Sequence, residues 1–296
     1  MFLGISLSVT ASILFGILYY YSTFLSPLSG EDIFAWRMLL TIPIAVIFVA
    51  VTGENQSVKT IFKSISAQPR LILVLLLSSF LLGVQLWLFL WAPTVNKALE
   101  VSLGYFMLPL TLVITGRLFY KETLSRFQIS AALVASIGVI HEIIRVGSFS
   151  WPALIVALGY PIYFVLRKHF KLNHIGGLWF DLVLMLPISA LFAINGAMSI
   201  SFLENFPKFF YLLPILGLLS AGALITYILS TKYLSMSLFG LLGYVEPVLL
   251  LAVAMLIGET ITQSKIFTYG PIWLSVCILI FEGSLFLFKT KKNLSD

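Results

Sequence analysis

The sequence predicts an all-α integral membrane protein whose ten transmembrane helices form two inverted five-helix repeats. Three observations lead to this fold class. The 296 residues are 60% hydrophobic and 10% charged, with a mean hydropathy of +1.05, whereas a soluble domain carries about 25% charged residues. Apolar runs long enough to cross ~30 Å of hydrocarbon recur along the whole chain. A motif with Gly-Tyr followed by proline in the fourth run of the first half returns in the fourth run of the second half.

Short segments with turn or charge signals separate the predicted spans. The apolar runs are continuous rather than alternating, which excludes transmembrane strands and favours helices. The longest connection, 53–70, is predicted to form a short interfacial helix with its apolar residues on one side and Lys59 and Lys63 on another. The spans are predicted at 2–24, 33–52, 71–92, 98–118, 127–145, 150–168, 175–195, 209–231, 235–257 and 264–288.

The distribution of Lys and Arg predicts the orientation. With the N-terminus in the cytoplasm, thirteen of the 18 basic residues fall in cytoplasmic segments, four fall outside, and Arg37 lies within a span. This bias follows the positive-inside rule and places both termini in the cytoplasm. It also accounts for the net charge of +6, so nucleic-acid binding is not expected. The N-terminus has no basic start or small-residue cleavage site, so no cleaved signal peptide is expected.

The repeated motif lies in spans four and nine. Because each half contains five spans, an odd number, the second half must enter the membrane in the opposite direction. We predict repeats at 1–145 and 146–296, with a transport site at their interface; duplication for fold stability alone is the alternative. The aligned residues are Gly104-Tyr105 with Gly243-Tyr244, Pro109 with Pro247, and Glu122 with Glu259.

Glu122 and Glu259 directly follow apolar helices at opposite membrane faces. We predict that each closes a tight turn by accepting hydrogen bonds from free N–H groups of the next helix. We favour this role over contact with a substrate.

Glu246 is the main candidate for the site, either binding a substrate amine or carrying a coupling proton. It lies about midway along span nine, where a charged carboxylate costs ~2.5–3.5 kcal/mol on insertion scales. Such a residue needs a watery cavity, a partner or a proton. The alternative is a protonated glutamate hydrogen-bonded to a neighbouring helix.

Polar-tipped residues are the candidates for the cavity wall, because aromatic faces bind amphipathic solutes and cations. Helix-packing seams and interfacial aromatic belts are the alternatives. Asp181 and Glu282, near the ends of spans seven and ten, are expected to reach water or to pair with nearby Lys or Arg. The predicted wall residues are Gln85, Trp87, Tyr105, Tyr227 and Tyr244.

Several strings in both halves match one transporter family. The most specific is LEVSLGYFMLPL, from Leu99 to Leu110. The others are Arg37 in EDIFAWR, Gln85, Trp87 and Trp91 in QLWLFLWA, Lys121-Glu122, Gly147-Ser148, Arg167-Lys168, Leu186-Pro187, Tyr244 with Pro247, and Gly258-Glu259. On these residues the chain resembles the EamA branch of the drug/metabolite transporter superfamily, and more narrowly the RarD group, over nearly its whole length.

The resemblance implies a bacterial inner-membrane carrier that moves small organic solutes, usually outward, including amino acids or amphipathic drugs. It also favours a functional or gating ion pair for Arg37, with Glu100 as partner, over snorkelling of Arg37 to the headgroups. Two residues depart from the family pattern. Gln85 stands where asparagine is expected, and Glu246 stands where a small residue is expected before the proline, so the family's substrates do not transfer directly.

The predicted function is secondary transport by alternating access, exporting small organic solutes, with proton coupling left open. An importer or uncoupled facilitator of the same fold, and a non-transporting membrane scaffold, are the alternatives. The expected partners are a small-molecule substrate, the lipid bilayer and, if coupled, protons. No enzyme activity, cofactor or metal is expected: the three histidines lie at span ends, and no Gly-rich lysine loop offers a phosphate site.

Overall fold

Helices joined by short turns build the structure. The computed structural model describes residues 2–94, 97–147, 151–195, 206–256 and 263–293, and these ranges contain no β-strand. A 3₁₀ turn at Thr23–Leu25 follows the first helix. The helices are α1 (Phe2–Ser22), α2 (Gly30–Thr52), α3 (Asn55–Ala67), α4 (Leu71–Thr94), α5 (Ala98–Tyr120), α6 (Arg126–Val146), α7 (Trp151–His169), α8 (Ile175–Asn195), α9 (Phe209–Tyr233), α10 (Met236–Leu242), α11 (Val245–Leu256) and α12 (Gln263–Asn293).

Seven helices in the described ranges are long and apolar enough to cross a membrane: α1, α2, α4, α5, α6, α8 and α9. The other three predicted spans correspond to α7, whose last turn carries Arg167, Lys168 and His169, to the pair α10 and α11, and to α12. The structure therefore confirms a multi-pass, all-α membrane protein. The count of ten crossings stays a prediction.

The connection 53–70 contains the expected amphipathic helix, α3. Lys59 and Lys63 are exposed, while Ile61 is buried in a small cluster with Leu172 and Phe180. Helix α3 thus packs against α8 as well as presenting its basic face outward.

Helices α2 and α6 begin with capping boxes. The Ser29 hydroxyl accepts from the Asp32 N–H at 3.1 Å, and the Asp32 carboxylate accepts from the Ser29 N–H at 3.2 Å. Ser125 and Gln128 form the same pair at 3.0 and 3.2 Å. Each box satisfies N–H groups that lack partners within the helix. Both helices end at a glycine in the left-handed conformation, which glycine adopts without steric cost.

Pro161 interrupts the hydrogen bonding of α7. Its ring nitrogen cannot donate to the carbonyl of Ala157. The Thr111 hydroxyl of α5 donates to that carbonyl instead, at 2.7 Å. The proline in α7 therefore leaves the Ala157 carbonyl without its usual helical donor, and Thr111 of the neighbouring helix α5 supplies one.

The ninth predicted span is broken. Helix α10 ends at Leu242, Gly243 and Tyr244 form a turn, and α11 begins at Val245. A methyl group on Gly240 would lie 2.9 Å from the Pro109 carbonyl oxygen, so α10 and α5 approach closely only because no side chain intervenes at this position.

The core lies where the two halves meet. Its largest cluster draws buried side chains from α1, α2, α4, α5, α7, α8, α9 and α10. A second cluster joins α5, α6, α10 and α12 around Tyr244. The main packed pairs are α1–α9, α6–α12, α5–α7, α2–α8, α5–α10, α2–α9, α4–α7, α4–α8 and α1–α11.

Candidate functional site

Two small voids lie side by side within the largest core cluster. Their volumes are about 20 and 30 Å³, enough for one or two waters each. Tyr105, Leu108, Tyr227 and Glu246 line both, so the voids form one divided cavity, which we call the central cavity. A cavity of this size holds water but no organic solute.

Arg37 reaches the central cavity from the third turn of α2. Its side chain is 0% exposed, and its Nε donates to the Ser220 hydroxyl of α9 at 2.8 Å. Among the residues that the structure describes, no hydrogen-bond partner is found for the other two guanidinium nitrogens, Nη1 and Nη2. A buried cation with free donors is costly, so these two nitrogens can donate to a further acceptor in the cavity.

Glu246 lines the same cavity from the first turn of α11. The break at Gly243 and Tyr244 places this carboxylate at a helix N-terminus. There the helix dipole stabilises an anion by ~0.3–1 kcal/mol, or up to ~2 kcal/mol when partly buried. Glu246 also interacts electrostatically with Arg37. The two opposite charges offset part of each other's desolvation cost.

Aromatic rings form the rest of the wall. Tyr227 packs edge-on against Phe15, with centroids 5.8 Å apart, and against Tyr160 at 6.4 Å. Tyr105 lies 6.5 Å from Tyr160 and 5.9 Å from Phe89. Such walls suit a solute with an apolar or aromatic body and polar ends.

The structure places the other predicted wall residues outside the lining of the central cavity. Gln85 donates to the Ile155 carbonyl at 2.8 Å and so ties α4 to α7. Trp87 stacks on Trp91 with centroids 4.8 Å apart. Tyr244 is 0% exposed, and its hydroxyl donates to a backbone carbonyl of α5. In this structure the three side chains contact neighbouring helices and do not line the central cavity, and their role at a transport site stays a prediction.

Glu100 does not pair with Arg37 as predicted. Its carboxylate binds Lys97, one turn earlier, at 2.9 Å. Arg37 lies two turns inside α2 and is turned inward to Ser220 and the central cavity. The acidic residue that lines the central cavity together with Arg37 is Glu246.

Glu122 accepts two hydrogen bonds from free helical N–H groups, but not from the next helix. Its oxygens accept from the N–H groups of Met236 and Ser237, both at 2.8 Å, in the first turn of α10. The next helix, α6, is already capped by Ser125. Lys168 also lies 3.9 Å from the carboxylate. Glu122 therefore links the first half of the chain to the second, and Glu259 lies outside the described residues.

Asp181 takes the second of its expected roles and pairs with an arginine. Arg167 of α7 bonds to its carboxylate, which also accepts from the Tyr163 hydroxyl at 3.0 Å. The guanidinium further donates to the carbonyls of Leu172 and His174. Both charges are at most 1% exposed.

Burial, and then the charge of Arg167, lower the pKa of His174 below its usual range, so this loop histidine is neutral at pH 7.

Tyr160 is the wall residue that sequence reasoning missed. It is 7% exposed and contacts Tyr105 and Tyr227 across the central cavity. A signal was present, because Gly159-Tyr160 is followed by proline and thus repeats the pattern seen in spans four and nine.

A bundle of apolar helices with a basic and an acidic residue at one buried cavity fits a membrane transporter. A profile of the EamA-like transporter family matches residues 2–141. An uncharacterized transporter of Pasteurella multocida is 42% identical, over 95% of this chain and 96% of its own. The chloramphenicol-sensitive protein RarD of Pseudomonas aeruginosa is 39% identical, over 98% and 97%. The Escherichia coli protein RarD is 26% identical, over 98% and 97%.

The chain therefore belongs to the EamA-like transporter family of the drug/metabolite transporter superfamily, among the relatives of RarD. A solved crystal structure shares the fold: its TM-score is 0.67 at 15% identity, over 93% of this chain and 96% of that one.

Proposed function

We propose that this protein is a secondary transporter that exports small organic solutes across the bacterial inner membrane by alternating access. The observation that carries the proposal is the central cavity, where Arg37 and Glu246 present opposite charges among aromatic rings. Charged groups at membrane depth are expensive and mark substrate or ion pathways.

The helix pairing supports an inverted repeat. Exchanging the first five spans with the last five replaces α1, α2, α4, α5 and α6 by α7, α8, α9, α10–α11 and α12, respectively. Under this exchange α1–α9 becomes α7–α4, α5–α7 becomes the pair of α10–α11 with α1, and α2–α9 becomes α8–α4. The pairs α2–α8, α5–α10 and α6–α12 map onto themselves. All of these pairs are packed, so each half offers the other matching contacts, as rocking between two related conformations requires.

The break between α10 and α11 supports a binding role for Glu246. Transporters of this kind commonly place discontinuous helices at the substrate site, because their ends present charges and free backbone groups. The first-half counterpart, α5, is continuous through Pro109. The chemistry of the cavity is thus asymmetric even though the packing is paired.

The arrangement suggests how a solute would be held. Nη1 and Nη2 of Arg37 match a planar anionic group of the solute. Glu246 matches an ammonium group or, alternatively, a proton, and the aromatic rings match the apolar body. Binding of an ammonium group or of a proton would neutralise the carboxylate of Glu246 and so weaken its attraction to Arg37. The empty and the loaded carrier would therefore differ in the net charge of the cavity.

The direction of transport rests on the family resemblance, and the orientation on the Lys and Arg distribution. The distribution places both termini in the cytoplasm. The name of the Pseudomonas relative mentions chloramphenicol, so that compound belongs in a test panel beside amino acids, amines and organic anions.

The test is flux into and out of proteoliposomes, with and without a pH gradient. We expect Glu246→Gln and Arg37→Gln to lower flux at least tenfold, about 1.4 kcal/mol of binding or barrier energy. Glu31→Gln and Arg70→Gln, at the surface, are matched controls and should leave flux unchanged. If the two cavity variants retain the parent's flux, pH profile and substrate range, the site is wrong. If the parent moves no solute on the panel while correctly folded, the scaffold alternative is favoured.

A further inference from the structure

A groove opens on the lipid-facing side of the bundle, between α5 and the start of α6. Its volume is about 650 Å³, within the range of sites that bind drug-sized ligands. Ile114, Leu118 and Ile129 form apolar walls, with 55%, 69% and 45% of their surface exposed. Arg117 and Thr123 add polar groups at one end. We call this feature the α5–α6 groove.

The groove changes from polar to apolar along the helix axis. Arg117 lies in the last turn of α5, which ends at Tyr120, and the loop residue Thr123 lies at the same end. Ile114 is three residues earlier, about 4.5 Å deeper along the helix. A phospholipid has the same order, with a polar headgroup at the membrane surface and acyl chains below it.

The polar end of the groove is cationic. Arg117 is exposed, and its Nη1–H donates to the backbone carbonyl of Glu122 at 3.0 Å. Lys121 and Arg126 are exposed on either side of the same loop. The carboxylate of Glu122, in the same loop, faces α10 and accepts from two backbone N–H groups there. It therefore leaves most of the positive charge at the groove uncompensated.

We propose that the α5–α6 groove binds an anionic glycerophospholipid. The phosphate lies at Arg117 and Lys121, and an acyl chain lies along Ile114, Leu118 and Ile129. Basic pockets between transmembrane helices recognise anionic headgroups in this way. Charge complementarity selects the headgroup, and the exposed aliphatic walls provide the surface against which an acyl chain packs. The site depends neither on the transport substrate nor on the direction of transport.

The experiment measures which lipids the full-length protein retains. The purified protein is equilibrated in mixed micelles with equal amounts of phosphatidylglycerol and phosphatidylcholine, and native mass spectrometry counts the bound lipids. We expect phosphatidylglycerol to be preferred. Arg117→Gln combined with Lys121→Gln should reduce that preference about fivefold for each cation removed. Lys59→Gln combined with Lys63→Gln, on exposed positions of α3, is the matched control and should change it less than twofold.

A second variant separates the groove from its charge. Ile114→Trp adds bulk to the apolar wall of the groove but leaves Arg117 and Lys121 in place, so it should also reduce the preference. It keeps the proposal testable if removal of the Arg117 hydrogen bond lowers stability. Equal losses in the α3 control would overturn the site in favour of general surface charge. Retained preference in Ile114→Trp, or full competition by soluble glycerol phosphate, would overturn the role of the acyl chain.

Discussion

Removing the Glu122 carboxylate should loosen the start of α10. The variant Glu122→Ala leaves the N–H groups of Met236 and Ser237, whose side chains are 7% and 0% exposed, without their acceptor. A hydrogen bond to a charged group contributes ~1.5–3 kcal/mol, and an anion at a helix N-terminus adds ~0.3–1 kcal/mol. The two bonds share one carboxylate and are not additive, so we expect a loss of about 2–4 kcal/mol.

Amide hydrogen exchange of the peptide covering α10 is the appropriate assay, because it reports local opening. A loss of that size corresponds to exchange about 30-fold to 1,000-fold faster. Glu122→Gln retains one acceptor oxygen and should fall between the parent and Glu122→Ala. Lys168→Gln removes a 3.9 Å ion pair with Glu122 and a contact of the same ammonium with the Tyr120 ring at 3.7 Å, and the lysine is 41% exposed, so its effect on the α10 N–H groups should stay below about 1 kcal/mol. Acceleration of less than threefold in Glu122→Ala would refute the capping role.

Two further predictions concern contacts between helices. Thr111→Val removes the donor to the Ala157 carbonyl and should lower thermal stability by about 1–2 kcal/mol. Adding Pro161→Ala should recover part of this loss, because residue 161 then has an N–H group that can donate to the same carbonyl. If the effects of the two substitutions on stability are simply additive, this explanation is contradicted. Gly104→Ala would place a methyl group 2.7 Å from atoms of α7 and should lower stability by about 1–3 kcal/mol. Gly83→Ala, with its nearest contact at 3.6 Å, should lower stability less. Thermal unfolding in detergent compares the two variants, and equal shifts of the unfolding temperature would contradict the prediction.

Much of the helical framework could be predicted from local signals. The predicted spans agree with the observed helices to within a few residues at most ends, because a run of about 20 apolar residues has little alternative to a helix in lipid. The starts of α2 and α6 were similarly accessible, since Ser29-Asp32 and Ser125-Gln128 have the spacing of a capping box. Span nine is the exception, because a two-residue break at Gly243 is small beside the apolar pattern around it.

The candidate site was predicted in part. Arg37 and Glu246 were identifiable because a charge at membrane depth needs a compensating environment. Gln85, Trp87 and Tyr244 were assigned to the cavity wall but pack elsewhere, and Tyr160 was missed. Periodicity locates the side of a helix that a residue occupies, but the rotation that decides what that side faces depends on all neighbouring helices.

The sequence by itself determined that this is a multi-pass helical membrane protein with costly charges inside it. Composition and span length suffice for that, since transfer into lipid depends on each segment's own residues. Only the tertiary structure decided the surroundings of those charges: Ser220 and the cavity shared with Glu246, rather than Glu100, for Arg37, and the distant α10 rather than the adjacent α6 for Glu122. Such pairings join residues far apart in the chain, so they depend on how the helices pack and not on local sequence.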